Sequence, residues 1–262
     1  MKPYYQDSAV TIYHGDCLEL LPMQCDAIVT DPPYSSGGQF RGDRARATTE
    51  KYVSAEFVNR SEFSGDNLDQ RVFMVWSSWW LKAAIAGAAQ GAALCCFTDW
   101  RQIPALTDAV QCAGWVWRNL AVWWKPGCRM IKGRFSSSAE YVIYATNGAH
   151  DALGESSQQN VFRCGTLVGN QKQHIAEKPE AVMGWVLGVT PAGCTILDPF
   201  AGSGTTGWAA KLSGRKAVLI EREERYCEIA AKRMAHGVLD FGTANPRVDG
   251  TADAQTKRKQ ET

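Results

Sequence analysis

Residues 194–221, CTILDPFAGSGTTGWAAKLSGRKAVLIE, constrain the fold more than any other part of this chain. An apolar run, CTILDPF (194–200), leads into a glycine-rich turn, a helical stretch follows to about Leu212, and a second apolar run, KAVLIE (216–221), comes next. Strand, turn, helix and strand in that order imply a parallel pair joined by a right-handed crossover, and so an α/β fold. G-x-G-x-x-G falls at Gly202, Gly204 and Gly207, and Glu221 ends the second strand 19 residues after the first glycine. Between a strand and a helix, glycines let the backbone approach a ligand, and an acid at that distance can accept hydrogen bonds from ribose hydroxyls. The same pattern also describes a tight strand-to-helix turn that binds nothing.

Asp198 narrows the choice of nucleotide. A carboxylate just before the first glycine repels a diphosphate and suits a cationic or amine-bearing ligand instead. S-adenosylmethionine has an amino acid end, a sulfonium and a ribose, and no phosphate, which matches an acid at each strand end. A nicotinamide dehydrogenase is the competing reading of the glycines.

A second feature is TDPPY, residues 30–34, placed directly after the apolar run Ala27-Ile28-Val29. Two consecutive prolines remove two backbone donors and fix two φ angles. Such rigidity is expensive unless a group must be held in place. Methyl transfer to an exocyclic amine of a nucleobase has that need, because the nitrogen lone pair is delocalised into the ring. Hydrogen bonds from the amine to a carboxylate and to a backbone carbonyl would draw the nitrogen toward tetrahedral geometry. Asp31 offers the carboxylate and Pro32 a carbonyl stiffened by Pro33. Tyr34 offers a face for stacking. Misplacement by about 1 Å can cost about a hundredfold in rate, so stiffness has a purpose here. A base in a duplex must first swing out, at a cost of a few kcal/mol. The bland alternative is a proline-stiffened turn with an incidental acid.

Elsewhere the sequence is less specific. Strands are expected at 9–13, 26–30, 91–97, 115–124 and 139–147, and helices over 72–90, from Lys178-Pro179 onward and over about 222–236. Nothing approaches 18 uninterrupted apolar residues, so a membrane span is not expected, and the start lacks the apolar core of a signal peptide. Nine cysteines without CxxC or Cys/His spacing read as reduced thiols of a cytoplasmic protein, with no metal site. The net charge of +1 is uninformative, but its distribution is not. From Trp115 to Phe135 the basic residues Arg118, Lys125, Arg129, Lys132 and Arg134 alternate with Trp115, Trp117, Trp123 and Trp124, and no acid intervenes. Arg41, Arg44 and Arg46 form a second basic cluster. Both could follow a nucleic-acid backbone; the plainer account of the first is a solvated hairpin with buried tryptophans.

DPPY together with DPFAGSGTT resembles the amino-methylating DNA methyltransferases, which act on adenine N6 or cytosine N4. DPPY precedes the glycines, as in the permuted β group of that family. The match runs over roughly 9–236, with HGDCLELL (14–21) and Lys178-Pro179 as further points of likeness. The resemblance implies a Rossmann-like α/β fold with a seven-stranded, mostly parallel sheet, helices on both faces and one antiparallel edge strand. It implies a single domain over 1–243, with a catalytic half (1–126), a short target-recognition insertion (127–174) and a cofactor half (175–243), before a disordered tail (244–262). Residues 35–70 would be a second DNA-facing loop. S-adenosylmethionine would be the methyl donor, leaving S-adenosylhomocysteine, with no metal.

Carried onto this chain, Asp31, Pro32, Pro33 and Tyr34 are the catalytic candidates. Asp16, Cys17, Asp31, Lys178, Asp198, Pro199, Phe200, Ala201, Gly202, Ser203, Gly204, Thr205 and Glu221 are the cofactor candidates. For Asp16, the plain alternative is a helix cap before Leu18. Arg41, Arg44, Arg46, Lys125, Arg129, Lys132 and Arg134 are the DNA-binding candidates. The expected partner is double-stranded DNA, with a homodimer as a candidate assembly. The short recognition segments suit a solitary phage or prophage enzyme more than one tied to a restriction nuclease. DPPY favours adenine N6 over cytosine N4. RNA or a protein amide as acceptor, and a DNA-binding protein without catalysis, rank below these.

Overall fold

A computed structural model describes residues 2–33, 68–127, 132–133, 135–149, 157–166 and 178–235. Its strands are β1 (Tyr5–Gln6), β2 (Val10–His14), β3 (Cys25–Thr30), β4 (Ala88–Thr98), β5 (Val116–Trp124), β6 (Ala139–Thr146), β7 (Val161–Arg163), β8 (Thr195–Asp198) and β9 (Lys216–Glu221). They form one sheet in the order β1-β2-β9-β8-β3-β4-β6-β5-β7. The helices are α1 (Cys17–Leu20), α2 (Gln70–Ile85), α3 (Ile103–Cys112), α4 (Glu180–Leu187), α5 (Thr205–Leu212) and α6 (Glu224–Ala235).

Strands β2, β9, β8, β3 and β4 all run parallel, while β6 runs antiparallel to both β4 and β5. The body from β2 to β5 has the expected seven strands, but the reversed strand, β6, lies one place in from the edge instead of at it. The short β1 and β7 extend the sheet at its two ends.

The sheet is covered on both faces, and the period of two along each strand decides which residue serves which core. On β3, Ala27 and Val29 join one cluster with Val182, Trp185 and Val186 of α4, Ala209 and Ala210 of α5, and Cys227 and Ala230 of α6. Ile28 faces the other way, among Phe73, Trp80 and Leu81 of α2 and Leu106, Ala109 and Val110 of α3. Being buried on both faces is why these strands read as continuous apolar runs rather than alternating ones.

Local signals set the boundaries. Asp69 caps α2, its side chain accepting from the Arg71 N–H at 3.1 Å. The helix ends earlier, and β4 begins earlier, than the alanine-rich stretch suggested. Gly87 makes the reversal: a Cβ there would lie 2.1 Å from the Met23 carbonyl oxygen, so only glycine passes. Helix α3 was not anticipated. Asp99 holds the turn before it by accepting from the Arg101 and Gln102 N–H groups, and Pro104 sits in its first turn.

One expected boundary needs correction. The recognition insertion placed at 127–174 contains β6, whose Val142, Ile143 and Ala145 are buried in the cores on the two faces. A segment paired on both sides within the sheet belongs to the body of the fold. The tail from 244 and most of 35–70 lie outside the described residues.

Candidate active site

The strand order reverses direction of growth between β8 and β3. From β8 the chain crosses by α5 to β9 on one side, and from β3 it crosses by α2 to β4 on the other. In open α/β sheets, the carboxyl ends of the strands flanking such a point form the ligand crevice. TDPP (30–33) lies at the end of β3 and DPFAGSG at the end of β8, so the two sequence motifs meet there.

They are tied directly. The Thr30 hydroxyl donates to Asp198 Oδ1 at 2.7 Å, and the Phe200 N–H donates to the same oxygen at 3.0 Å. Thr30 is fully buried and Asp198 is 2% exposed. Burial pushes the Asp198 carboxyl up, and the Thr206 and Thr30 hydroxyls and the Phe200 N–H work against that by favouring the charged form. Asp198 thus spends its hydrogen bonds within the protein, pinning one strand end to the next and to the turn.

Asp31 follows Thr30. Its Oδ2 accepts from Lys178 Nζ at 2.5 Å, and Lys178 lies within 3.2 Å of Glu140 Oε2. The other Glu140 oxygen accepts from Lys125 Nζ at 2.8 Å. The result is an alternating row of charge, Asp31, Lys178, Glu140 and Lys125, drawn from β3, the segment before α4, β6 and the end of β5. The Lys178 side chain is only 7% exposed and its ammonium also lies 5.1 Å from the centre of the Phe97 ring. Burial alone would pull the lysine down, but Asp31 and Glu140 outweigh it and push it up. Burial likewise acts to raise Glu140, yet Lys178 and Lys125 together bring it down to about 2. Asp31 goes the other way. Burial pushes it up to about 6, with Lys178 pulling down and Glu140 pushing up. Its second oxygen, Oδ1, is buried and has no hydrogen-bond partner among the described residues.

The glycine turn is held by the acid the spacing had picked out. Glu221 Oε2 accepts from the Gly202 N–H and Oε1 from the Glu223 N–H, each at 2.8 Å. Burial pushes this carboxyl up against those two N–H groups. Each oxygen is oriented by one bond and keeps lone pairs for further donors. Gly204 caps α5 at φ +80°, and a Cβ on it would lie 2.9 Å from the Ala230 Cβ. Gly202 has φ +51° with nothing within 4 Å of where a Cβ would be, so the turn is open on that side. Phe200 packs edge-on against Trp80 and tilted against Trp76, with ring centres 5.2 and 5.3 Å apart.

The remaining candidates divide. Pro32, Pro199, Ala201, Ser203 and Thr205 are buried around the two strand ends. Pro33 is half-buried. Asp16 caps α1, accepting from the Leu18 N–H at 2.9 Å, which is the plain alternative foreseen for it. Cys17 packs in the core on the α2 side, and burial, with Asp16 beside it, pushes its thiol up to about 12. Lys125 is committed to Glu140, and Arg118 donates to Thr146 and to the Gly148 carbonyl, so neither points a free charge outward. Lys132 is exposed. Of the four tryptophans, Trp115 and Trp123 are core and Trp117 and Trp124 are exposed. Tyr34, Arg41, Arg44, Arg46, Arg129 and Arg134 lie outside the described residues. Among the described residues, no helix is long and apolar enough to cross a membrane, and no group of His, Cys, Asp and Glu is arranged to hold a metal ion.

Sequence reasoning missed Thr30 and Glu140. The only signal for Glu140 was an acid at the head of the otherwise apolar strand AEYVIYAT. Its partners are 15 and 38 residues away in the chain, and no local pattern records that.

Comparison with known proteins agrees with this geometry. A family model described as DNA methylase, of the N6/N4 type, matches residues 25–232. The type II methyltransferase M2.DpnII of Streptococcus pneumoniae is 26% identical over 269 residues, covering 89% of this chain and 92% of that one. Among solved structures, the PvuII DNA methyltransferase, cytosine-N4-specific, superposes with a TM-score of 0.65 at 18% identity, covering 89% of each chain. The M1.HpyAVI–SAM complex gives 0.62 at 23% identity, covering 86% of this chain and 98% of that one. Both structural matches speak for the Rossmann-like fold. The family model spans most of the chain, including both strand ends of the site, and on that ground this protein belongs to the N6/N4 DNA methylases.

Proposed function

We propose that this protein transfers a methyl group from S-adenosylmethionine to N6 of an adenine swung out of duplex DNA. The observation that carries the reading is the Asp31 carboxylate. Oδ2 is fixed by Lys178, and Oδ1 is buried and unpartnered among the described residues, one residue from the threonine that anchors the glycine turn. A buried acceptor left unmade costs about 1–3 kcal/mol, so its retention calls for a donor supplied from outside.

The residues at the turn fit the donor molecule. Glu221, oriented by two backbone N–H groups, has acceptor capacity for the two ribose hydroxyls, and the open side of Gly202 gives room for close approach. Phe200, braced by two tryptophans, presents a rigid apolar wall. S-adenosylmethionine supplies an electrophilic methyl on a sulfonium. The chain's own task is to orient the amine. Asp31 Oδ1 accepts one N–H and the Pro32 carbonyl accepts the other, which localises the nitrogen lone pair. Tyr34 stacks on the base, and exposed cations such as Lys132 hold phosphates.

Incubation with methyl-labelled donor and mixed-sequence duplex DNA, followed by nucleoside analysis, should place label on N6-methyladenine. Label on N4-methylcytosine alone would change the base and leave the role of Asp31 standing. Absence of label in DNA, with label in RNA or protein, would overturn the reading.

A further inference from the structure

Glu140 is a half-buried charge in this site that the proposed chemistry does not yet use. Its side chain is 19% exposed and touches a lysine with each oxygen: Lys125 at 2.8 Å and Lys178 at 3.2 Å. Consider Lys178 without it. Asp31 would then be the one carboxylate of the described residues bonded to this ammonium, and a proton taken up by Asp31 would remove the charge of that pair. Stranding one partner of a buried pair is strongly unfavourable. Asp31 would then be held ionised too firmly to receive a proton.

Methylation of the amine releases one. As the nitrogen–carbon bond forms, the sulfur–carbon bond breaks and its electron pair stays on sulfur, leaving a neutral thioether and a positively charged nitrogen. One N–H proton then passes to Asp31 Oδ1, its bonding pair returning to nitrogen. Asp31 becomes a neutral acid and later gives the proton to water.

We propose that Glu140 is a positioning residue for Asp31, sharing the Lys178 ammonium so that the lysine keeps both its place and a counter-charge through this cycle. The proposal rests on the reading of Asp31 as the amine's acceptor. Glu140 supplies the second anion, and Lys125, on its far side, tempers that anion. Among the described residues, the charged and titratable groups facing Asp31 are Lys178 from the segment before α4, Glu140 from β6, Asp198 from β8 and the Cys96 thiol from β4. Of these, Glu140 can be altered without touching the glycine turn, and so can Lys125, its other partner.

The distances set the size of the effect. The two carboxylates bond one ammonium at 2.5 and 3.2 Å, so their oxygens are within about 6 Å of each other. At that range a like charge moves a carboxyl by about one pH unit or more. The test is the titration of Asp31 itself, read from its side-chain carbonyl resonance in protein labelled with carbon-13 aspartate and assigned by its loss in Asp31→Asn.

Glu140→Gln should lower the midpoint by about one unit or more. Lys125→Met, which removes the cation that offsets the Glu140 carboxylate, should raise it. In methyl transfer, the acid limb of kcat should shift in the same two directions with the KM for DNA little changed, and Glu140→Asp should restore part of the wild-type profile. Thermal unfolding and donor binding confirm that each variant is folded. A midpoint in folded Glu140→Gln within about 0.2 unit of wild type overturns the proposal, because one pH unit corresponds to about 1.4 kcal/mol and would be plain. Should that variant not fold, an unmoved or lowered midpoint in Lys125→Met overturns it equally. The titration needs no turnover, so an inactive wild-type protein would sink the methyltransferase reading without deciding the role of Glu140. An active wild type with unmoved midpoints would do the reverse.

Discussion

Replacing Thr30 by valine tests whether the two halves of the site are locked together by one hydrogen bond. Valine keeps the branched shape of threonine in a fully buried position and removes the 2.7 Å bond to Asp198 Oδ1. A hydrogen bond to a charged group is worth about 1.5–3 kcal/mol, and burying a methyl in place of the hydroxyl returns about 0.5–1 kcal/mol. The net loss should be about 1.5 kcal/mol. For a chain of this size that corresponds to a fall of about 3–6 °C in Tm. Thr30→Ser, which keeps the hydroxyl and loses a methyl, should cost about 1 kcal/mol.

The pH dependence separates the two variants. The Thr30 hydroxyl favours the charged form of Asp198, so its loss raises the folded-state pKa beyond where burial already puts it. The valine variant's deficit is therefore complete while Asp198 is ionised and narrows as the pH falls through that raised value. The serine variant's deficit should stay flat. Urea unfolding of both variants, followed as the pH is lowered from neutrality, reads this out. Equal deficits at every pH, or a valine variant more stable than the serine one, would show that the contact is packing and that the hydrogen bond contributes little.

Other consequences are as direct. Methyl transfer should decline tenfold per pH unit below about 6, because Asp31 is raised to about 6 and acts as an acceptor only when ionised; a limb near 4 in kcat/KM would contradict this. Asp31→Asn keeps the shape and places a donor where an acceptor is needed, and kcat should fall by about 10²–10⁴ with donor affinity nearly unchanged by calorimetry. Glu221→Ala removes the acceptors for ribose and loosens the Gly202 turn, which should weaken donor binding about 10–100-fold in the same assay. Gly207→Ala would put a Cβ 2.6 Å from Leu219 Cδ1, forcing α5 away from β9, and should cost about 1–3 kcal/mol in urea unfolding.

How much of this could be read from the sequence depends on whether the chemistry is local. DPFAGSGTT and TDPPY were legible because each needs residue types that few other purposes explain: glycines where the backbone takes positive φ, prolines where a carbonyl must not move, an acid at a strand end. Their meeting followed from order alone, since parallel strands bring their carboxyl ends to one edge. The tryptophans and basic residues of 115–135 were not legible in the same way. Trp123 is buried and Trp124 is exposed because successive strand residues face opposite sides, but composition alone does not say which side is the interior.

Lys125 carried the signature of a phosphate contact and serves an internal ion pair, because Glu140 faces it across the β5–β6 hairpin: Trp123 is paired with Glu140 and Trp124 with Ala139. The partner of a buried charge is set by strand order, and strand order is what periodicity does not encode. The same holds for Lys178. Its place before Pro179 marked a helix start, yet what it touches was fixed by β3 and β6 lying on either side of β4. A lysine at that point can reach a carboxylate from each. The motif residues therefore announce the reaction, while residues without a motif set the charge state in which the motif works.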